Sequence, residues 1–135
     1  MGARLVFVDS SVLIAILAEE PDRDHFLRQL EAAGGGVTSP LVVLETTMRL
    51  SSILQAEPAR TEEEVLNLLE VAHIVQLPIL EQDGSAAIEA FGRYGKGRRH
   101  PAQLNMADCM AYACARNRGL KLLYKGNDFA ATDLA

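Results

Sequence analysis

Leu5-Val6-Phe7-Val8-Asp9-Ser10-Ser11-Val12-Leu13-Ile14 is the stretch on which the reading of this chain turns. The apolar run Leu5 to Val8 is too short for a helix of its own. It reads as a strand that ends in Asp9-Ser10-Ser11, residues able to cap a helix begun by Val12. A carboxylate in such surroundings is costly unless it is paired or bound. Three more carboxylates repeat the pattern. Glu45 interrupts Leu41-Val42-Val43-Leu44, Asp108 lies within Met106-Ala107-Asp108-Cys109-Met110, and Asp128 follows Leu122-Leu123-Tyr124-Lys125-Gly126-Asn127. Brought together by the fold, the four would form an oxygen-rich pocket for a hard divalent cation such as Mg2+ or Mn2+.

Outward from that stretch, strand patterns alternate with helical ones. The first helix is expected to end near Glu20-Pro21. A second spans about Asp22 to Ala33, with Phe26, Leu27 and Leu30 as its apolar stripe and Gly34-Gly35-Gly36 as its stop. Val37-Thr38 is a short strand. Ser39 as N-cap and Pro40 at the first helical position open a helix that carries Glu45 to about Gln55. Thr61 and Glu64 have capping-box spacing and predict the next helix start. His73 to Leu77 reads as a strand, Leu80 to Tyr94 as a helix with Gly84 as its weak point, and Gly95 to Pro101 as a loop. Asn105 to Arg118 is a helix ended by Gly119, and Leu120 to Tyr124 is a strand leading into the turn Lys125-Gly126-Asn127-Asp128. Such alternation predicts an α/β domain with a mainly parallel sheet between helical layers. Sites in such sheets form outside the carboxyl ends of the strands, where Asp9 and Asp128 are expected.

The chain has 135 residues and a formal charge of -5, which suits one domain, residues 1–135, and argues against a generally basic nucleic-acid binder. Its two cysteines, Cys109 and Cys114, sit five apart on one helix and face different ways, so a reducing cytoplasm is expected. No apolar run approaches the roughly 20 residues of a membrane span. The basic residues Arg93, Lys96, Arg98, Arg99 and His100 form one cluster, read either as a solvated loop or as a flexible arm that grips phosphates. His25, His73 and His100 lack zinc-ligand spacing, and no glycine-rich phosphate loop occurs.

Each acid also has a plain structural reading. Asp9 can be a helix cap, Glu45 can pair with Arg49, Asp108 can answer the helix dipole beside Asn105, and Asp128 can be a turn residue. Only the set of four argues for chemistry. A phosphotransferase with Asp9 as nucleophile would want a second Asp two residues on, where this chain has Ser11.

Taken together, Val8-Asp9-Ser10-Ser11-Val12, the Glu45 helix, Leu104-Asn105-Met106-Ala107-Asp108-Cys109 and Leu122-Leu123-Tyr124-Lys125-Gly126-Asn127-Asp128-Phe129 with Thr132-Asp133 resemble PIN-domain nucleases, specifically the VapC toxins of toxin-antitoxin pairs. The resemblance implies a three-layer α/β/α sandwich, a homodimer, Mg2+- or Mn2+-dependent endoribonuclease activity and inhibition by a small VapB-like antitoxin. It carries the acidic quartet onto Asp9, Glu45, Asp108 and Asp128, and polar supporting positions onto Ser10 and Asn105. Arg93, Lys96, Arg98 and Arg99 are the expected RNA contacts. Gly126 departs from the Ser or Thr that many relatives carry two residues before the fourth acid, so less is expected of Asp128. The competing expectation is a non-catalytic PIN-like module whose acidic groove binds a partner protein.

Overall fold

β1 (Val6–Val8) has neighbours on both sides in a parallel four-stranded sheet, in a computed structural model that describes residues 5–135. β2 (Gly36–Thr38) lies on one side, with Phe7 opposite Val37, and β4 (Lys121–Leu123) on the other, with Phe7 opposite Leu122. β3 (Ile74–Gln76) completes the order β3-β2-β1-β4. Strand order therefore reverses beside β1, the position at which parallel sheets open a crevice beyond their carboxyl ends. Helices α1 (Ser10–Leu17) and α2 (Arg23–Ala33) connect β1 to β2, α3 (Pro40–Leu54) and α4 (Pro58–Val71) connect β2 to β3, and α5 (Glu81–Tyr94) and α6 (Met106–Asn117) connect β3 to β4. The result is the expected three-layer α/β/α arrangement.

The central strands β1 and β2 are covered on both faces, and Phe7, Val8, Val12, Leu13, Leu50, Val65 and Phe129 belong to the core between the layers. Thr38 is fully buried within β2, where its hydroxyl donates to the Val8 carbonyl at 2.8 Å and so loses no hydrogen bond. β1 and β2 approach closely because residue 36 is glycine. A Cβ there would stand 2.9 Å from the Val6 carbonyl oxygen and 2.9 Å from a Val8 methyl. Gly36 thus belongs to the strand, while Gly34, in the left-handed conformation, is the residue that ends α2.

Two helix boundaries differ from expectation. α4 starts at Pro58, not Thr61, because proline presets the first helical dihedral. The Thr61 hydroxyl, one turn inside, donates back to the Glu57 carbonyl rather than capping. α1 stops at Leu17, before Glu20-Pro21, where Glu19 turns left-handed and the Glu20 N–H closes on the Ala15 carbonyl. Ser39 and Pro40 open α3 as expected, with the Ser39 hydroxyl accepting from the Val42 N–H. Cys109 and Cys114 are buried free thiols. Among the described residues no helix is long and apolar enough to cross a membrane.

α5 and α6 are fastened by a polar contact with no counterpart in the sequence reading. The buried Asp83 carboxylate, near the start of α5, accepts from both terminal nitrogens of Arg118 at 2.8 and 3.0 Å, from the Asn117 amide at 3.0 Å and from the Leu80 N–H at 2.8 Å. The Arg118 guanidinium, ahead of these other donors, holds the Asp83 pKa down at about 2. A depressed acid stabilises the fold above its unfolded pKa of about 4, and that contribution disappears as pH falls through about 2. Removing either partner strands the other charge. Arg118→Met should therefore cost about 3 kcal/mol in denaturant unfolding at pH 7. Asp83→Asn should flatten the loss of stability between about pH 4 and 2, and an unchanged acid limb would rule this assignment out.

Candidate active site

Asp9 stands at the carboxyl end of β1 and caps α1. One of its oxygens, Oδ2, accepts from the Ser11 N–H at 3.1 Å and from the Ser11 hydroxyl at 2.6 Å. That hydroxyl in turn accepts from the Lys125 N–H at 2.9 Å, tying the first acid to the turn beyond β4. The Lys125 ammonium reaches back to Glu20 at 2.8 Å and Asp22 at 3.0 Å, between α1 and α2. The segment that carries Asp128 is thus pinned beside Asp9 at its near end. In sequence Ser11 reads as a capping residue or as a nucleophile without a nearby histidine, and its role as the link between Asp9 and the turn beyond β4 has no local signal.

Ser10, the neighbouring position, turns to the other side. Its buried hydroxyl donates to Glu45 Oε1 at 2.6 Å, bringing the α3 glutamate toward the end of β1. Asp108 is the third residue of α6 and forms a reciprocal cap with Asn105. The Asn105 amide oxygen accepts from the Asp108 N–H at 2.8 Å, and Asp108 Oδ2 accepts from the Asn105 N–H at 3.1 Å. Asp128 is exposed on its turn, whereas Asp9 and Asp108 are buried.

The electrostatics place these acids within reach of one another. Burial raises the Asp108 pKa to about 7, the Asn105 N–H opposes the rise, and the charges of Asp128, Asp9 and Glu45 add to it. Asp9 is also raised, again first by burial, with the Ser11 hydrogen bonds opposing and Glu45 adding to the effect. Among the described residues no three acids, histidines or cysteines already close around one point. Ser11, Ser10 and Asn105 each engage one oxygen of Asp9, Glu45 and Asp108. The second oxygen of each acid remains for another partner, and an all-oxygen donor set of this kind fits a hard cation.

Residues 6–134 match the PIN domain family. A VapC ribonuclease of Rhizobium meliloti is 39% identical over 95% of this chain and 98% of its own, and ribonuclease VapC28 of Mycobacterium tuberculosis is 37% identical over 94% and 93%. The chain belongs to the VapC family of PIN-domain ribonucleases. The crystal structure of Mycobacterium tuberculosis VapC20, titled a sarcin-ricin loop cleaving toxin, superposes with a TM-score of 0.74 over 96% of both chains. At 19% identity that likeness speaks for the fold.

Within this VapC fold the basic cluster divides. Arg93 stacks on the Tyr94 ring at 4.7 Å and lines a recess with Tyr112, Arg116 and Asn117 on the α5–α6 hairpin. Lys96 instead lines an apolar groove together with Asn105 and Met106, at the start of the helix that carries Asp108. Arg98 and Arg99 are exposed on the loop between them. That loop is closed by hydrogen bonds of its own, where sequence suggested a flexible arm.

A raised acid pKa means that the folded state holds more protons than the unfolded state. Stability in the presence of a chelator should then fall as pH rises from about 4 through about 7. Asp108→Asn keeps the shape and the capping acceptor while removing the charge. In EDTA at about pH 8, chosen to lie above the folded pKa, this variant should melt at or above the wild-type temperature, and the difference should shrink toward pH 4. Added Mn2+ should raise the wild type more than the variant. A variant that melts well below wild type in EDTA, with an equal response to Mn2+, would show that the acids do not share a site.

Proposed function

We propose that this chain is the toxin of a VapBC-type pair, a metal-dependent endoribonuclease in which Asp9, Glu45, Asp108 and Asp128 hold Mg2+ or Mn2+. The observation that carries this reading is the gathering of the acids at one edge of the sheet, with Asp9 tied through Ser11 to the turn that leads to Asp128, Glu45 tied to Ser10, and Asp108 coupled to all three from the start of α6. An RNA phosphodiester is an anion, and four carboxylates alone would repel it. A divalent cation in the pocket supplies the charge reversal, the activation of water and the stabilisation of charge on phosphoryl oxygen that hydrolysis needs. Asp9 and Asp108, buried and rigidly capped, would be direct ligands, with Glu45 and Asp128 bound directly or through water. The Ser10 hydroxyl orients Glu45, and the Asn105 N–H orients the Asp108 carboxylate. An Asp108 that is half-protonated near pH 7 must release its proton to bind a cation, so metal affinity should rise with pH.

Partners follow from the same surfaces. A VapB-like antitoxin would place an arginine against the acids, since a guanidinium binds carboxylates bidentately where the metal would sit. A second copy of the chain would cover the apolar part of the groove of about 480 Å³ lined by Leu41, Ile88, Phe91 and Met106, leaving the exposed Lys96 at its rim for RNA. Lys96, Arg98 and Arg99 would contact RNA phosphates, whereas Arg93, engaged with Tyr94, would contribute less.

Asp9→Asn and Asp108→Asn should each lower Mn2+-dependent cleavage of total cellular RNA by about 100-fold or more, with the fold retained by circular dichroism. Glu45→Gln should be similarly damaging and Asp128→Asn milder. Wild-type cleavage by either aspartate variant would overturn the assignment. A wild-type protein that neither cleaves RNA nor responds to metal would favour the partner-binding module instead. Separately, replacing Arg98 and Arg99 by Ala should weaken RNA binding and flatten its salt dependence while sparing metal binding. An unchanged salt slope would return these residues to the role of a solvated loop.

A further inference from the structure

The loop between α5 and α6 is built as a closed unit. At its neck Gly95 and Leu104 form a parallel bridge, the Leu104 N–H donating to the Tyr94 carbonyl at 2.8 Å and the Lys96 N–H to the Leu104 carbonyl at 2.9 Å. Across its middle runs the Gln103 side chain, whose amide oxygen accepts from the Gly97 N–H at 3.3 Å and whose amide nitrogen donates to the His100 carbonyl at 2.5 Å. His100 is fixed too. Its Nδ1 accepts from the Ala102 N–H at 3.1 Å, and its ring meets the buried Tyr94 ring edge-on at 4.8 Å. Arg99 and Gln103 both adopt left-handed backbone, at φ 61° and 52°, a conformation that non-glycine residues keep only where surrounding contacts impose it. The chain then runs from Leu104 directly into Asn105 and the helix of Asp108.

From this geometry we infer that Gln103 is a positioning residue for RNA: it holds the 95–104 loop as a preformed frame that presents Lys96, Arg98 and Arg99 at a fixed offset from the acids. The inference rests on the ribonuclease reading and adds to it the part that orients the substrate. Gln103 itself carries no charge and is not a ligand of the acids. Its contribution is that cationic side chains on a fixed frame lose less freedom on gripping phosphates than the same side chains on a loose loop. The effect belongs to substrate binding, since the bracing contacts are made before RNA arrives. A merely electrostatic account, in which the charges alone matter, predicts instead that the uncharged Gln103 has no effect on binding.

The test is steady-state cleavage of a short RNA in saturating Mn2+ by wild type, Gln103→Ala and Gln103→Glu, with hydrogen exchange at the Gly97 and Ala102 amides measured on the same proteins. Gln103→Ala should raise KM about ten-fold and leave kcat within about two-fold. Exchange at Gly97 should quicken, and the melting temperature should stay near wild type. Gln103→Glu keeps an acceptor for the Gly97 N–H but loses the donor to the His100 carbonyl and adds a negative charge among the cations, so its KM should be at least as high as that of Gln103→Ala. An unchanged KM in Gln103→Ala would overturn the inference, and so would a loss expressed in kcat or accompanied by a fall in melting temperature. Absence of cleavage by wild type would remove the ribonuclease reading itself. Cleavage by wild type with an unaffected KM in Gln103→Ala would remove only the role of Gln103.

Discussion

Four carboxylates held within Coulombic reach repel one another, and the rest of this structure is arranged so that the fold survives the repulsion. Burial and like charge together push Asp108 up to about 7, so the site opposes folding wherever the acids are ionised and unbound. Local donors offset part of the cost: Ser11 on Asp9, Ser10 on Glu45, and the reciprocal cap between Asn105 and Asp108. The remainder falls on regions away from the acids. The two-faced core around Phe7, Val8 and Leu13 and the Asp83–Arg118 clasp between α5 and α6 stabilise the fold without touching the site. An acid cluster that costs stability at its centre and is supported from outside is the arrangement that preorganisation for a charged ligand would require.

The convergence of the acids is a consequence of topology more than of any single contact. β1 is flanked by β2 and β4, so the segments that leave β1, β2 and β4 all emerge at one edge of the sheet. Asp9 lies at the end of β1, Glu45 in the second turn of the helix that follows β2, and Asp128 in the turn after β4. Asp108 comes from the opposite direction, in the first turn of the helix that leads into β4, and there the helix dipole favours its charge. The Ser10–Glu45 and Ser11–Lys125 hydrogen bonds then set the spacing that topology leaves open. Two adjacent serines serve two different neighbours because successive residues at a helix start point in different directions.

What the sequence made legible was whatever repeats locally. The apolar strand runs, the Ser39-Pro40 opening of α3, the Gly34 stop and the Asn105–Asp108 spacing all stand in the structure where their residues predict. Boundaries failed where two local signals competed. Pro58 overrode the Thr61–Glu64 spacing because a fixed φ acts before a side-chain cap can form. Long-range partners were illegible for a different reason. Asp83 and Arg118 are 35 residues apart, and neither stands out among the exposed charges of its helix. Ser11 looked like a cap, and Gln103 like an ordinary loop residue. Their roles exist only once the turn after β4 and the neck of the 95–104 loop are in place.

Asp128 differs from its three companions in how it is held, and this gives physical content to the departure at Gly126. It is exposed, on irregular chain, with no strand or helix of its own. The segment is fixed at its two ends. Lys125 ties the near end to Ser11, Glu20 and Asp22. The far end is anchored by buried Phe129, by the Thr132 hydroxyl donating to the Phe129 carbonyl, and by Asp133, which accepts from Tyr112, Arg116 and Tyr94. Burial alone would raise the Asp133 pKa, but Tyr112 and Arg116 bring it below the ordinary carboxylate value, so the anchor is ionised at neutral pH. Between the anchors, Gly126 adopts φ 95° and offers no hydroxyl with which to steer the carboxylate two residues on. Asp9 and Glu45 are aimed by the serine hydroxyls that touch them, and Asp108 by the Asn105 N–H of its reciprocal cap. Asp128 is aimed only by the path of the backbone, and a carboxylate held that way is better suited to meeting a cation through water than to defining where the cation sits.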